Sequence, residues 1–310
     1  MAKRTGIPIA VMAVSLATGL YAVHCLIPPH PGAAAAAGIL QVDYGKFILA
    51  GIVVAIPTFI VGHLWAKYAG RLQQETSEIL EDESAIDPTI LPSVTKAFLP
   101  IIVPILLIAL KSFIAVEVGT INNWLSIFLS LGDPLIALSI GVLLAFNCKR
   151  QWKKEVVASL LQDAAEKAGG ILVIIGAGGA FGAVLAATKM GSHLSSSIPL
   201  ASLGIFFPFL LTFILKTAQG SSTVAIITAS SIVLPLLPAL GLATGNGPLL
   251  CVLSMGAGSM MISHANDAYF WVIAKFSGLS MNAMLKVYTV ATILMGVTAF
   301  VMVFILSKIL

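Results

Sequence analysis

Ser263, His264, Asn266 and Asp267 stand almost side by side within Gly258–Trp271, "GSMMISHANDAYFW", among otherwise apolar neighbours. A carboxylate in hydrocarbon costs about 2.5–3.5 kcal/mol even on the lenient insertion scale. The cluster therefore either leaves the bilayer or lines a cavity where it has work to do. Asp267 is a candidate proton carrier. His264 is its partner, the alternative proton carrier or a substrate ligand. Asn266 donates and accepts without charge, which suits recognition of hydroxyl groups, and Ser263 joins it as a candidate substrate contact. The plainer alternative makes His264 and Asp267 a buried structural pair that closes a break between helices.

A second polar stretch, "KTAQGSST", interrupts an apolar region. Gly220 frees the backbone for a tight turn, and successive N–H groups at the start of a half-helix can cradle a carboxylate. Ser221, Ser222 and Thr223 offer hydroxyls, Lys216 offers charge, and Gln219 belongs to the same candidate binding tip. The alternative is an ordinary polar loop between two spans. In a third stretch, "PPHPG", Pro28, Pro29, Pro31 and Gly32 break a helix. His30 between them is a ligand or a partner for freed carbonyls. Glu117, Asp133, Lys189 and His193 read as interfacial, and Ser195–Ser197 as a linker. No serine sits in a G-x-S-x-G elbow. Cys25, Cys148 and Cys251 form no metal-ligand pattern and read as packing residues.

The elements that must hold these stretches are membrane helices. Only 10% of the 310 residues are charged, against roughly 25% in a soluble domain. Mean hydropathy is +1.03, and apolar runs of about 20 residues recur. The pI near 9.0 does not argue for nucleic acid, because the basic residues cluster beside apolar spans, where they set topology. The first 26 residues resemble a signal peptide, yet their apolar run is too long and lacks a small-x-small cleavage site, so a retained membrane segment is expected.

Ile7–Leu26 and Ala33–Leu40 read as halves of one span broken at residues 28–32, followed by a span over Gly45–Trp65. These form unit 1–66, and residues 67–93 form a cytoplasmic linker. The remainder, 94–310, holds spans near Phe98–Val116 and Leu125–Phe146, then an interfacial helix in "VVASLLQDAAEKAGG" and a span over Gly169–Ala187. A re-entrant hairpin over 197–240 follows, with arms Ser197–Leu215 and Val224–Leu240. A broken helix over 247–276 and a final span over Ala283–Leu306 complete the chain. "CKRQWKK" is the strongest cytoplasmic marker. Counting crossings from it puts Lys3, Arg4, Lys67, Arg71, Lys275 and Lys286 on the same side, provided that 197–240 does not cross, and leaves Leu310 external.

Ile7–Trp65 and Gly247–Leu306 share a layout of half-helix, polar break with a histidine, half-helix and full span, entered from opposite sides. Inverted repeats with discontinuous helices are the architecture of many secondary transporters. The expected fold is thus an all-α polytopic membrane protein with an incomplete first repeat. By comparison with the second repeat, roughly 120–140 residues are expected upstream of Met1.

"LIPPHPG", "GAGGAF", "KTAQGSSTVAIIT" and "GAGSMMISHANDAYFW" closely resemble motifs of the gluconate permease family, bacterial proton symporters of sugar acids and related hydroxy acids. The resemblance covers the whole chain, aligned to about the C-terminal two-thirds of a member. It implies a multi-pass protein of the bacterial inner membrane in the ion-transporter superfamily. It also implies elevator-type transport, a homodimer, a small sugar-acid or hydroxy-acid substrate, H⁺ as coupling ion and no cofactor or metal. Three departures bear on the substrate. Lys216 stands where arginine is common, "GSST" replaces "GSAT", and "VLAATKMG" replaces a polar Asp-Ser-Gly stretch. A membrane-embedded enzyme using His264 and Asp267 as an acid–base or metal pair is the alternative, although no second cluster completes such a site.

Overall fold

Prolines and small residues decide where the helices of this chain start, break and stop. The structure, a computed structural model, describes residues 6–73, 92–117, 129–148, 153–187 and 200–310. Among the described residues the regular structure is entirely helical, as lipid requires of a backbone that must satisfy its own polar groups. In chain order the helices are α1 (Ile9–Leu26), α2 (Pro31–Ile39), α3 (Tyr44–Arg71), α4 (Val94–Glu117), α5 (Pro134–Phe146) and α6 (Lys154–Ala187). They continue with α7 (Leu200–Leu203), α8 (Phe206–Gln219), α9 (Ser222–Val233), α10 (Gly247–Met260), α11 (Ala268–Ser277) and α12 (Met281–Ile309). Four stretches among them are long and apolar enough to cross a membrane: Ile9–Ile39, Tyr44–Arg71, Val94–Lys111 and Met281–Ile309.

The chain divides into two compact units. The larger comprises Met1–Val42, Ala50–Leu80 and Ile171–Leu310. Its centre is α10, in which every residue but Pro248 is buried. A helix that is apolar on all sides belongs in an interior. The small residues of "SMGAGSM" let neighbouring backbones come close, and α8, α9, α12 and α1 all pack on it. The Ser254 hydroxyl donates to the Ile205 carbonyl at 2.5 Å, tying α10 to the start of α8. α10 is the first half of an interrupted helix, α10/α11, and beside it lie a second interrupted helix, α1/α2, and one pair joined by a tight turn, α8/α9. Pro31 opens α2, where a missing N–H costs nothing. A π-helical turn over Leu285–Thr289 lies within α12, a feature frequent at functional sites.

The smaller unit comprises Asp43–Leu49 and Glu81–Gly170, and in it α4 packs on α5. Asp133 caps α5 by accepting from the Leu135 N–H at 3.1 Å, and it lies 3.7 Å from the Lys111 ammonium.

Two expectations need correcting. No separate interfacial helix precedes a span at Gly169, because α6 runs unbroken for 34 residues. No proline interrupts it, and Gly169–Gly170 costs only about 1 kcal/mol per glycine relative to alanine. Nor is Leu125–Phe146 one span. Leu131–Asp133 form a turn and the helix restarts at Pro134, a proline and an aspartate being a strong start signal. Most of the linker 67–93, the residues Lys3, Arg4, Lys149, Arg150, Lys189 and His193, and the first three residues of 197–240 lie outside the described residues.

Candidate functional site

Lysine, alanine and glutamine favour helix, and "KTAQ" is accordingly the last turn of α8 rather than a loop. The turn itself shrinks to Gly220 and Ser221. Gly220 has φ 79° and ends α8, its N–H donating to the Lys216 carbonyl at 2.8 Å. No side chain fits there, since a Cβ would collide with the Asn266 carbonyl. Ser221 caps α9 by accepting from the Val224 N–H at 3.3 Å. The second arm begins at Ser222 and loses its α-helical form after Val233, where Pro235 falls within a 3-10 turn over Leu234–Leu236.

The tip of this pair meets the break between α10 and α11. Ile262 in that break has φ 45°, a left-handed conformation that costs a β-branched residue roughly 1–3 kcal/mol. The surroundings hold it there. The Ser263 N–H donates to the Thr292 hydroxyl at 3.1 Å, and the Thr289 hydroxyl donates to the Ser263 carbonyl at 2.6 Å. Asp267 caps α11, accepting from the Tyr269 N–H at 2.9 Å.

Tip and break are joined by charge. The Lys216 ammonium donates to Asp267 Oδ2 at 2.7 Å and to the Gly220 carbonyl at 2.6 Å. Ser263 also donates its hydroxyl to Asp267 Oδ2. Lys216 is 0% exposed and Asp267 6%, so each charge depends on the other for stability. Asn266 donates through Nδ2 to the Thr217 carbonyl at 2.7 Å, satisfying another free carbonyl at the end of α8. The structural pair envisaged between His264 and Asp267 does not form. The side chains bonded to the Asp267 carboxylate are those of Lys216 and Ser263, with the Tyr269 N–H as its third donor.

The first break also reaches the tip, since α2 packs on α9. A Cβ on Gly32 would lie 3.0 Å from Thr223 Cα, and His30 Nε2 is within 3.5 Å of the Thr223 hydroxyl. The His30 ring sits 3.4 Å, centroid to centroid, from that of His24. Tyr21 Oη, Ser222 Oγ and the Ser259 carbonyl form a triangle with sides of 2.8, 3.0 and 3.1 Å. With one proton on each hydroxyl, two of those contacts are hydrogen bonds at any moment.

These elements enclose a cavity of about 470 Å³, a size suited to a small molecule. Its wall includes Gln219, Gly220, Ser221, Ser222, Thr223, Asn266 and Asp267. Lys216 and Ser263 lie behind Asp267, His30 lies behind Thr223, and His264 is outside the wall. Tyr21, His24 and Tyr269 also line it and escaped the sequence reading. Tyr21 and His24 are three apart in "YAVH", one face of α1, a pattern indistinguishable from packing residues in an apolar helix. The starts of α9 and α11 face the cavity, and helix starts present N–H groups and partial positive charge. The arrangement can hold a small anion beside a buried carboxylate–ammonium pair.

The sequence model described as "GntP family permease" matches residues 1–309. A gluconate permease of Pseudomonas aeruginosa is 33% identical over 323 residues, covering 100% of this chain and 70% of the relative. The Gnt-II system L-idonate transporter of Escherichia coli K12 is 31% identical, covering 94% and 67%. The D-serine transporter of the same strain is 30% identical, covering 100% and 71%. No solved structure matches the chain.

Proposed function

Because this chain belongs to the GntP family of permeases, we propose that it is a proton-coupled symporter importing gluconate or a related small hydroxy-carboxylate. Membership makes it a multi-pass membrane permease and removes the membrane-embedded enzyme from consideration. The relatives named above are called transporters of gluconate, L-idonate and D-serine. Those substrates share a carboxylate and at least one hydroxyl on a small frame. A cavity of about 470 Å³ walled by Ser221, Ser222, Thr223, Gln219 and Asn266 supports a substrate of that chemistry, with the start of α9 receiving the carboxylate.

The single observation that carries the coupling is the buried Lys216–Asp267 pair beside that cavity. A buried charge needs a partner. Protonating Asp267 leaves the Lys216 ammonium without one, and the carboxylate of an entering substrate supplies it. Proton and anion then enter together and the buried charge stays balanced. Ser263 and Gly220 hold the pair in register, His30 steadies Thr223, and His264 is the alternative proton carrier. In this proposal α8 and α9 form a re-entrant hairpin in an inverted repeat. Transport is of the elevator type in a homodimer of the bacterial inner membrane, and the C-terminus is external.

Asp267→Asn keeps shape and hydrogen-bonding ability but removes the titratable carboxylate. It should lose uphill uptake of radiolabelled gluconate driven by a pH gradient and retain gluconate counterflow. Normal proton-driven accumulation by this variant would move the proton to His264. Failure of the unmodified protein to take up gluconate, L-idonate or D-serine would overturn the substrate class.

A further inference from the structure

We infer that the Lys216 ammonium is a tethered counter-cation, occupying a monovalent-cation site whose oxygen ligands are the Gly220 carbonyl and the Asp267 carboxylate. This rests on the tip–break junction being part of the transport site. Three observations carry it.

The position demands a cation. It lies at the C-terminal end of α8, where free carbonyls carry partial negative charge, and it faces the carboxylate of Asp267. Water does not relieve the demand, since Lys216 is 0% and Asp267 6% exposed. The contacts are those a hard cation accepts. Both ligands are oxygens, at 2.6 and 2.7 Å, and hard cations are held by carbonyl and carboxylate oxygens. The left-handed Gly220 belongs to this geometry, because the turn that its φ of 79° permits leaves its carbonyl aimed back at Nζ.

A lysine so placed keeps alkali cations out of the junction. Sodium would have to displace an ammonium of the same charge that is already bound covalently to the chain. Ion coupling at this junction is thereby left to the proton. Truncating the side chain to alanine removes three methylenes and the ammonium but leaves both oxygen ligands, so the truncated protein should bind an alkali cation in the vacated space.

The test uses thermal unfolding of the purified protein in detergent at fixed pH and ionic strength, with lithium, sodium, potassium or choline chloride. The probe is the cation itself, and no transport is involved. Lys216→Ala should gain about 3 °C or more in Tm between choline and at least one alkali cation, rising with concentration as mass action requires. The unmodified protein and the double variant Lys216→Ala/Asp267→Asn should each change by no more than about 1 °C across the same salts. Lys216→Met, which fills the space with an uncharged chain, should also be insensitive. Should Lys216→Ala accumulate poorly, Lys216→Ser takes its place. Absence of any alkali-dependent shift in the truncated variant overturns the inference. So does a sodium-dependent Tm in the unmodified protein. Neither result bears on gluconate uptake, so the transport reading stands or falls separately.

Discussion

Asp267 is held by three neighbours and shows why its role could be suspected from sequence while its partner could not. A carboxylate in an apolar run must be paired, hydrated or protonated, and that much is visible in "SHAND". Which cation pairs with it depends on folding. Lys216 is 51 positions away, and His264, three positions away, was the nearer candidate. Removing one member of such a buried pair typically costs about 3–5 kcal/mol. Histidine is where the sequence reading and the cavity diverge most. His24 lines the wall with its ring tilted against that of His30, whereas His264 stays outside it. His24→Ala should therefore weaken gluconate binding by roughly 0.5–1.5 kcal/mol, the worth of one hydrogen bond. His264→Ala should change affinity by less. Titration calorimetry on both variants decides it, and a larger loss from His264→Ala would remove His24 from the substrate's contacts.

At the scale of elements, breaks were easier to read than lengths. "PPHPG" and "SHAND" both interrupt helices where proline and clustered polar residues require it. The helical arms run further into "KTAQGSST" than the apolar runs on either side of it. Lys216–Gln219 are helical, and their polarity serves the junction with Asn266 and Asp267. The meeting of that tip with the second break is tertiary, and no local pattern encodes it. Its tightness makes a graded prediction. Gly220 and Gly241 have similar φ values, 79° and 71°. A Cβ on Gly241 meets nothing within 4 Å, whereas one on Gly220 meets the Asn266 carbonyl. Gly241→Ala should cost about 1–2 kcal/mol from its left-handed backbone alone. Gly220→Ala should cost more than that and also reduce uptake. Equal losses in denaturant unfolding would mean that the tip does not press on the break.

For the whole molecule, orientation rests on counting crossings from one basic segment, Asn147–Glu155, of which Lys149–Trp152 lie outside the described residues. If α8 and α9 enter and leave on one side, Lys153 should be cytoplasmic and Leu310 external. A Lys153→Cys variant carrying Cys148→Ser should resist a membrane-impermeant maleimide added to intact cells and react after the membrane is opened. Labelling from outside would reverse every loop counted from it. The burial of α10 has its own consequence. Its amides from Cys251 to Met260 are already bonded within the helix and walled in by α1, α8, α9 and α12. Their hydrogens can trade places with those of water only when that wall parts. A transport cycle that carries these helices as one block leaves them untouched however often it turns. Slow isotope exchange in α10 through repeated turnover would therefore separate the moving of a block from its unfolding.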